Sequence, residues 1–134
     1  DSEMKKMFLF LTLVFILTGV SYSQEKPEGE KMKQWFFVML SRGENRSQDS
    51  VEAAKLMEGH MANINKMAEL GVLRIAGPFI DNGNWRGIFI MDCKTIEEAE
   101  SYVKQDPAII AGRLAYEIHP WYGPATIKTN WDKE

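Results

Sequence analysis

Residues 59–79 read GHMANINKMAELGVLRIAGPF and decide the fold, because they contain the second half of a helix, its stop and the next strand. Gly71 supplies the left-handed residue with which many helices end. Residues 72–80 then form an apolar segment that predicts a strand, and Pro78 indicates a sheet edge or a bulge. His60 is the only polar residue on the predicted apolar face of the helix, so it is the central question for function.

The helix begins well before this stretch. Asp49 or Ser50 provides the N-cap, and Glu52 stands three residues after Asp49, as in a capping box. Upstream, residues 34–40 (QWFFVML) form an unbroken apolar run, which predicts a strand buried on both faces. A polar loop joins this strand to the helix.

The elements after the stretch are closely spaced. Asp106-Pro107 predicts an N-cap with proline at the first helical position. Regular structure is expected to end at Pro120. The predicted elements are a hairpin turn, a third strand, a capped second helix, a short helical turn and a fourth strand, at residues 81–84, 87–92, 95–105, 106–112 and 114–119.

The predicted order β-α-β-β-α-β is the split βαβ pattern of a ferredoxin-like α+β domain with a four-stranded antiparallel sheet. Two helices cover only one face of such a sheet, whereas the first and third strands are apolar on both faces. An exposed apolar patch of that size is uncommon on a soluble monomer. We therefore expect a second copy to cover this face in a two-fold homodimer.

The N-terminal part of the chain predicts export. Basic Lys5 and Lys6 precede an apolar run at residues 7–20, and Ser21-Tyr22-Ser23 forms a small-x-small cleavage site. The run is shorter than the roughly 20 residues of a membrane-spanning helix, which disfavours the alternative of an uncleaved anchor. The predicted product is periplasmic or secreted, without a membrane attachment after cleavage.

This prediction divides the chain into four parts. Residues 1–3 precede Met4 and are interpreted as an upstream addition or an earlier start. The expected parts are a signal peptide, a flexible linker, the α+β domain and a C-terminal tail, at residues 1–23, 24–32, 33–123 and 124–134.

Composition and motifs narrow the function classes. The net charge of −3 shows no basic excess, so we expect no nucleic-acid partner. Cys93 is the only cysteine, so no disulfide can form within the chain. The two histidines and Asp106 do not form a metal-ligand spacing, and no glycine-rich phosphate loop is present. We expect neither a metal nor a cofactor.

His60 has two interpretations. It is either a core histidine with both nitrogens satisfied, or a general acid/base, the common role of histidine near neutral pH. Asp106 is the best candidate for its partner. That carboxylate is either only an N-cap or also the group that orients the imidazole, and the two roles are compatible because a carboxylate has two oxygens.

Other candidate residues carry weaker signals. Gly77-Pro78 either ends a strand or allows a ligand to approach the backbone closely. Arg42 and Arg74 are candidates for binding an anionic substrate, or are ordinary surface arginines. His119 is interpreted as structural.

Several different short motifs follow one another along the chain in a characteristic order. They are His60-Met61, Gly71, residues 76–79 (AGPF), Glu98-Ala99, Asp106-Pro107, Ala111-Gly112 and residues 117–121 (EIHPW). In this order and spacing they resemble the YCII-related family, over about residues 33–121. The resemblance implies a dimeric α+β barrel of ferredoxin-like subunits, similar in fold to muconolactone isomerases. One branch of the family includes a dehydrochlorinase acting on a chlorinated hydroxyquinol.

The resemblance also bears on the site. Family members carry a histidine and an aspartate proposed as an active-site pair, and these match His60 and Asp106. The chain departs from the family pattern in its predicted signal peptide, which changes the expected substrate pool. It also has Asn82-Gly83-Asn84 in the hairpin, where a Gly-Gly-like element is common. The resemblance therefore does not predict whether this loop contacts a ligand.

Three functions follow as hypotheses. The first is an exported, cofactor-free lyase or isomerase that uses His60 and Asp106 on a small cyclic organic molecule. The second is a noncatalytic dimeric module that binds a small molecule. The third is a structural dimer whose partner is a protein, bound through the tail after Trp121.

Overall fold

The computed structural model describes residues 2–4, 31–129 and 131. The predicted cleavage site and nearly all of the predicted signal peptide and linker lie outside these residues, so those boundaries stay predictions. No helix in the described part is long and apolar enough to cross a bilayer. The elements are β1 (Met32–Arg42), α1 (Ser50–Glu69), β2 (Leu73–Pro78), β3 (Trp85–Met91), α2 (Ile96–Val103), α3 (Pro107–Ile110) and β4 (Leu114–Pro124).

The four strands form one antiparallel sheet in the order β2-β3-β1-β4. Two connections, β1-α1-β2 and β3-α2-α3-β4, each join strands that are separated in the sheet by a third strand. This is the split βαβ arrangement. The predicted α+β, ferredoxin-like fold class is confirmed.

Helix α1 forms as its local sequence requires. The Asp49 carboxylate accepts from the Glu52 backbone N–H at 2.8 Å, and the Glu52 carboxylate accepts from the Asp49 N–H, which completes the capping box. Gly71, with φ +75°, takes the left-handed conformation that ends the helix.

The inward face of α1 is narrower than predicted. The residues it buries are His60, Asn63, Ile64 and Met67. A helical period of 100° per residue predicts Met57 and Met61 on the same face, but both are about half exposed and lie at its side. Asn63 is buried because its side-chain amide donates to the Tyr102 carbonyl at 3.2 Å, which ties α1 to α2.

The predicted end of regular structure at Pro120 is wrong, because β4 continues to Pro124. Pro120 pairs with Phe36 and Pro124 pairs with Met32 on β1. Proline is tolerated there because β4 is an edge strand, so the missing N–H does not interrupt a second ladder. As a result β1 starts at Met32, the last residue of the predicted linker.

The sheet has two unlike faces. The core lies between the sheet and the helices, and its buried members include Phe36, Val38, Leu40, Phe89, Met91, Ile64, Met67 and Val103. The opposite face is also apolar, since Phe37 pairs with Ile90 and Met39 pairs with Ile88, and directly paired residues share a face. The described helices pack on the first face only.

Candidate active site

His60 and Asp106 meet between α1 and α3. His60 Nδ1 is hydrogen-bonded to Asp106 Oδ2, and the two residues are only 8% and 1% exposed. The other carboxylate oxygen, Asp106 Oδ1, accepts from the Ala108 backbone N–H at 2.8 Å. Asp106 is therefore both the N-cap of α3 and the partner of the histidine.

This contact sets the tautomer of His60. An ionised carboxylate only accepts hydrogen bonds, so Nδ1 carries the proton. The second nitrogen, Nε2, makes no hydrogen bond to any residue in the described part of the chain. Nε2 is thus the atom that can accept a proton from a bound molecule or return one to it.

Gly59 allows α1 and α3 to approach closely enough for this contact. A Cβ atom at Gly59 would lie 2.7 Å from Pro107 Cγ, closer than atoms can pack. Sequence reasoning missed this residue. The available signal was a glycine in the middle of a helix, which costs about 1 kcal/mol relative to alanine and therefore indicates a packing reason.

A cavity of about 320 Å³ opens beside His60. The His60 ring stacks on Phe89, with centroids 6.3 Å apart and an angle of 22° between the planes. Most of the lining is apolar and comes from α1, the sheet and the tail. Its other members are Leu40, Met57, Met61, Ile64, Ala76, Gly77, Pro78, Phe79, Arg86, Gly87, Leu114 and Trp131.

The predicted ligand contacts Gly77 and Pro78 therefore lie in the cavity wall with His60. A Cβ at Gly77 would meet no atom within 4 Å, so the absence of a side chain leaves free space beside the backbone. Trp131 closes part of the same wall, and its indole N–H donates to the Leu73 carbonyl at 3.1 Å. The sequence did not predict that this tail residue would reach the cavity.

The two arginines predicted as ligand contacts do not line the cavity. Arg74 donates to Asp92 at 3.1 Å, and Lys33 bonds the other oxygen of that carboxylate at 2.7 Å. Arg42 donates to the Asn82 side chain in the hairpin at 3.1 Å. Arg86, which sequence reasoning overlooked, is the arginine that lines the cavity.

His119 lies away from this site. It pairs with Phe37 across β1 and β4, which places it on the sheet face opposite the helices. Its ring approaches the exposed Glu117 carboxylate, at 3.4 Å. His119 is not part of the cavity lining, and the prediction of a structural role stands untested.

Tyr116, a titratable residue with a shifted pKa, does not line the cavity. Burial, followed by the hydrogen bond to Glu100, raises the pKa of Tyr116 to about 12.

Within residues 2–4, 31–129 and 131, no group of three histidine, cysteine or acidic side chains could hold a metal ion. A wider depression of about 810 Å³ lies between α1 and α3, with Gln48, Lys55 and Pro107 in its lining, and it does not include His60 or Asp106.

The YCII-related domain model matches residues 35–122, about two thirds of the chain. The chain belongs to the YCII-related family. The resemblance found in its short motifs is thereby confirmed, and the matched residues include α1, the capped turn of α3, β2, β3 and most of β1 and β4. Both members of the buried pair of this YCII-related domain fall within the match.

Solved structures similar to this YCII-related chain include 5-chloro-2-hydroxyhydroquinone dehydrochlorinase from Burkholderia phenoliruptrix AC1100, in complex with 2,5-dihydroxybenzoquinone. The two share 19% sequence identity with a TM-score of 0.49, over 64% of this chain and 92% of that chain. No curated protein sequence matches. The similarity does not identify a substrate for this chain.

Proposed function

We propose that this YCII-related protein is a cofactor-free enzyme of the lyase or isomerase type, acting on a small cyclic organic molecule. His60 is the general acid/base and Asp106 is the residue that orients it. The observation that carries the proposal is the hydrogen bond between His60 Nδ1 and Asp106, made by a histidine that also lines a mostly apolar cavity. A volume of about 320 Å³ lies in the range of small-molecule sites.

The proposed chemistry is proton transfer at carbon. His60 Nε2 takes a proton from a carbon next to a carbonyl group, and the electron pair enters the enolate. In an isomerisation the same proton returns to another carbon, whereas in an elimination the electron pair expels a leaving group. Asp106 stabilises the imidazolium formed in between, and the apolar wall strengthens that attraction by excluding water.

This proposal is tested without a known substrate by following exchange of α-protons with solvent. Cyclic ketones, enones and hydroxylated quinones are incubated with the protein in D₂O, and loss of each proton signal is measured by NMR. We expect His60→Gln to slow the exchange of an accepted compound by about 10² to 10⁴-fold.

His119→Gln is the matched control, because it removes the other histidine at an exposed site. It should leave the exchange rate unchanged, and circular dichroism should show that both variants are folded. Equal exchange rates for wild type and folded His60→Gln would contradict the proposal.

The alternative is a noncatalytic small-molecule module. It is favoured by one feature of the wall: besides His60, the only ionisable side chain that lines the cavity in the described part of the chain is Arg86. A separate general acid is therefore missing from that wall. Binding of a cyclic compound in the cavity, with no exchange catalysed in any member of the panel, would support this alternative.

We also propose that the protein is a homodimer whose copies meet through the sheet face away from the helices. The support is the apolar character of that face, carried by Phe37, Met39, Ile88 and Ile90. Sedimentation equilibrium should give twice the chain mass. Met39→Asp at the centre of the face should shift the protein to monomer, and a wild-type monomer would contradict the proposal.

Export is proposed from the sequence of residues 4–23 alone. Basic residues, a short apolar run and a small-x-small site are the features of a cleaved signal peptide. N-terminal sequencing of protein from a periplasmic or secreted fraction should begin at Gln24. Full-length protein confined to the cytoplasm would contradict export.

A further inference from the structure

Four arginines gather where β1 ends, β4 begins and the β2–β3 hairpin turns. They are Arg42, Arg46, Arg86 and Arg113. Arg42 pairs in the sheet with Leu114, which lines the cavity, and Arg86 lines the cavity itself. The cluster, called here the arginine rim, is therefore continuous with the cavity that contains His60.

A β-bulge brings Arg86 to the cavity. Leu40 pairs with Gly87 and Ser41 pairs with Trp85, so Arg86 is the extra residue of β3. In regular alternation Arg86 would lie on the opposite sheet face from Gly87 and Phe89. A bulge re-aims a side chain in this way and is common beside functional sites.

Within the described residues, every side-chain hydrogen bond that the rim arginines donate goes to a neutral acceptor. The Asn82 side-chain oxygen accepts from Arg42 at 3.1 Å and from Arg86 at 3.3 Å. Arg46 donates to the Arg113 carbonyl at 3.0 Å, and Arg113 donates to the Gln48 side chain at 3.2 Å. These contacts orient the guanidinium groups without neutralising them.

No carboxylate forms an ion pair with the rim within the described residues. Asp81, the acidic residue of the hairpin, accepts instead from the Gly83 backbone N–H at 3.2 Å. Arg74, which is not part of the rim, does form an ion pair with a carboxylate, that of Asp92. Four cations held together without a counter-charge form a site that an anion would stabilise.

The fold holds these like charges together despite their repulsion. Burial, followed by the charges of Arg113, Arg42 and Arg86, lowers the pKa of Arg46. The loop that carries Arg46 is fixed by Gly43, where a Cβ would lie 2.0 Å from the Gly112 carbonyl oxygen. Only glycine allows this approach, which sets the loop against the start of β4.

We propose that the ligand of the His60 cavity carries an anionic group of the carboxylate type, which binds the arginine rim through Arg86 and Arg42. The ring of the ligand lies on the apolar wall by Phe89, and the anion points toward the hairpin. Arg86 and Phe89 are three residues apart on β3, about 10 Å, which a substituted ring can bridge. The inference rests on the proposed function only in assigning the ligand to the cavity.

The test compares benzoate with benzamide, which has nearly the same shape and no charge. Binding is followed by titration of the wild-type protein with NMR detection of backbone amides, including Gly77 and Gly87 in the cavity wall. We expect benzoate to bind at least about tenfold more tightly than benzamide, as a charge-assisted pair with arginine requires. Arg86→Gln should remove this preference, and Arg42→Gln should reduce it.

Arg74→Gln is the matched control, because it removes one arginine charge in β2 away from the cavity. It should leave the preference for benzoate unchanged. Equal affinity for benzoate and benzamide, or an unchanged preference in Arg86→Gln, would overturn the inference. So would binding of an acidic peptide that shifts the rim but leaves Gly77 unmoved, since that result would assign the rim to a protein partner.

The two experiments distinguish failure of the proposed enzymatic function from failure of the proposed anion site. Tight, Arg86-dependent binding of benzoate with no α-proton exchange by any compound supports the anion site and removes the catalytic role of His60. Exchange that depends on His60 but does not distinguish anionic from neutral compounds supports the enzyme and overturns the anion site. Failure of benzoate to shift either the rim or the cavity wall also overturns it.

Discussion

Two histidine–carboxylate pairs lie within the described part of the chain, and they differ mainly in burial. His60 and Asp106 have side chains that are 11% and 2% exposed, whereas those of His119 and Glu117 are 63% and 75% exposed. The first pair joins two helices that are distant in sequence, and the second lies along one face of an edge strand. The same two chemical groups, an imidazole and a carboxylate, therefore meet in opposite environments.

The difference in burial indicates where a histidine–carboxylate pair can act in catalysis. An exposed pair contributes about 0–1 kcal/mol because water screens both groups. A buried imidazole or carboxylate loses its water contacts, so each must find a partner in the protein. Burial makes the His60–Asp106 contact obligatory, and His60 also lines a cavity.

Asp106→Ala is expected to have the largest effect on stability. It removes the N-cap of α3, worth about 1 kcal/mol, and leaves the His60 N–H buried without an acceptor, worth about 1–3 kcal/mol. The free energy of unfolding should therefore fall by about 2–4 kcal/mol, measured by urea denaturation. Glu117→Ala is the matched control at the exposed pair. Because Glu117 pairs with Met39 on the proposed dimer face, both variants are compared in the monomeric Met39→Asp background, where Glu117→Ala should stay within about 0.5 kcal/mol of its parent.

Asp106→Asn separates the two roles of this residue. Asparagine is as good an N-cap as aspartate, so the Ala108 N–H keeps its acceptor. The uncharged amide no longer stabilises an imidazolium at His60, so α-proton exchange should still fall by about 10²-fold or more.

The comparison of the two pairs would fail if Asp106→Ala and Glu117→Ala lost similar amounts of stability, because the buried and exposed pairs would then be equivalent.

Gly59→Ala is the next test, because it pushes the buried pair apart without changing either member. Alanine favours the helix by about 1 kcal/mol, but its methyl group would meet the Pro107 ring at 2.7 Å. Overpacking of this kind costs about 1–3 kcal/mol, so we expect a net loss of up to about 2 kcal/mol and slower α-proton exchange.

The double variant Gly59→Ala with Pro107→Ala is its control. Removing the proline ring vacates the space that the new methyl group needs, so stability and exchange should both recover relative to Gly59→Ala. Failure of the double variant to recover would mean that Gly59 acts through something other than contact with Pro107.

The fold was predictable from the sequence because local signals and hydrophobic pattern agree. The capping box at Asp49 and Glu52, the stop at Gly71 and the order of elements all appear in the structure as predicted. The end of β4 was not predictable from local signals. Proline disfavours a central strand, and only the sheet order shows that β4 is an edge strand, where proline is tolerated.

The site was partly predictable for the same reason. Helical periodicity placed His60 on the inward face, and the Asp-Pro step marked Asp106 as a cap, but their contact depends on how α1 and α3 pack. Arg86 could not be found from the sequence, because its direction is set by a bulge that appears only in the pairing register of β1 and β3.

Cys93 extends the comparison to a half-buried group for which the described residues provide no hydrogen-bond partner or counter-charge, and it gives the smallest expected effect. Burial, followed by the nearby Glu98 and Asp92 carboxylates, raises the pKa of Cys93 to about 12. The folded state therefore prefers the neutral thiol more strongly than the unfolded state does. Its contribution to stability is complete below pH about 9 and is lost as the pH rises toward 12.

Wild type and Cys93→Ala should accordingly respond differently to pH. Between pH 7 and pH 10, the free energy of unfolding of wild type should fall relative to that of Cys93→Ala by less than about 1 kcal/mol, because the half-buried thiol is partly screened by water. Urea denaturation of both proteins at the two pH values measures this difference. A relative gain for wild type at pH 10 would mean that the folded state stabilises the thiolate, as Asp106 is proposed to stabilise the imidazolium of His60.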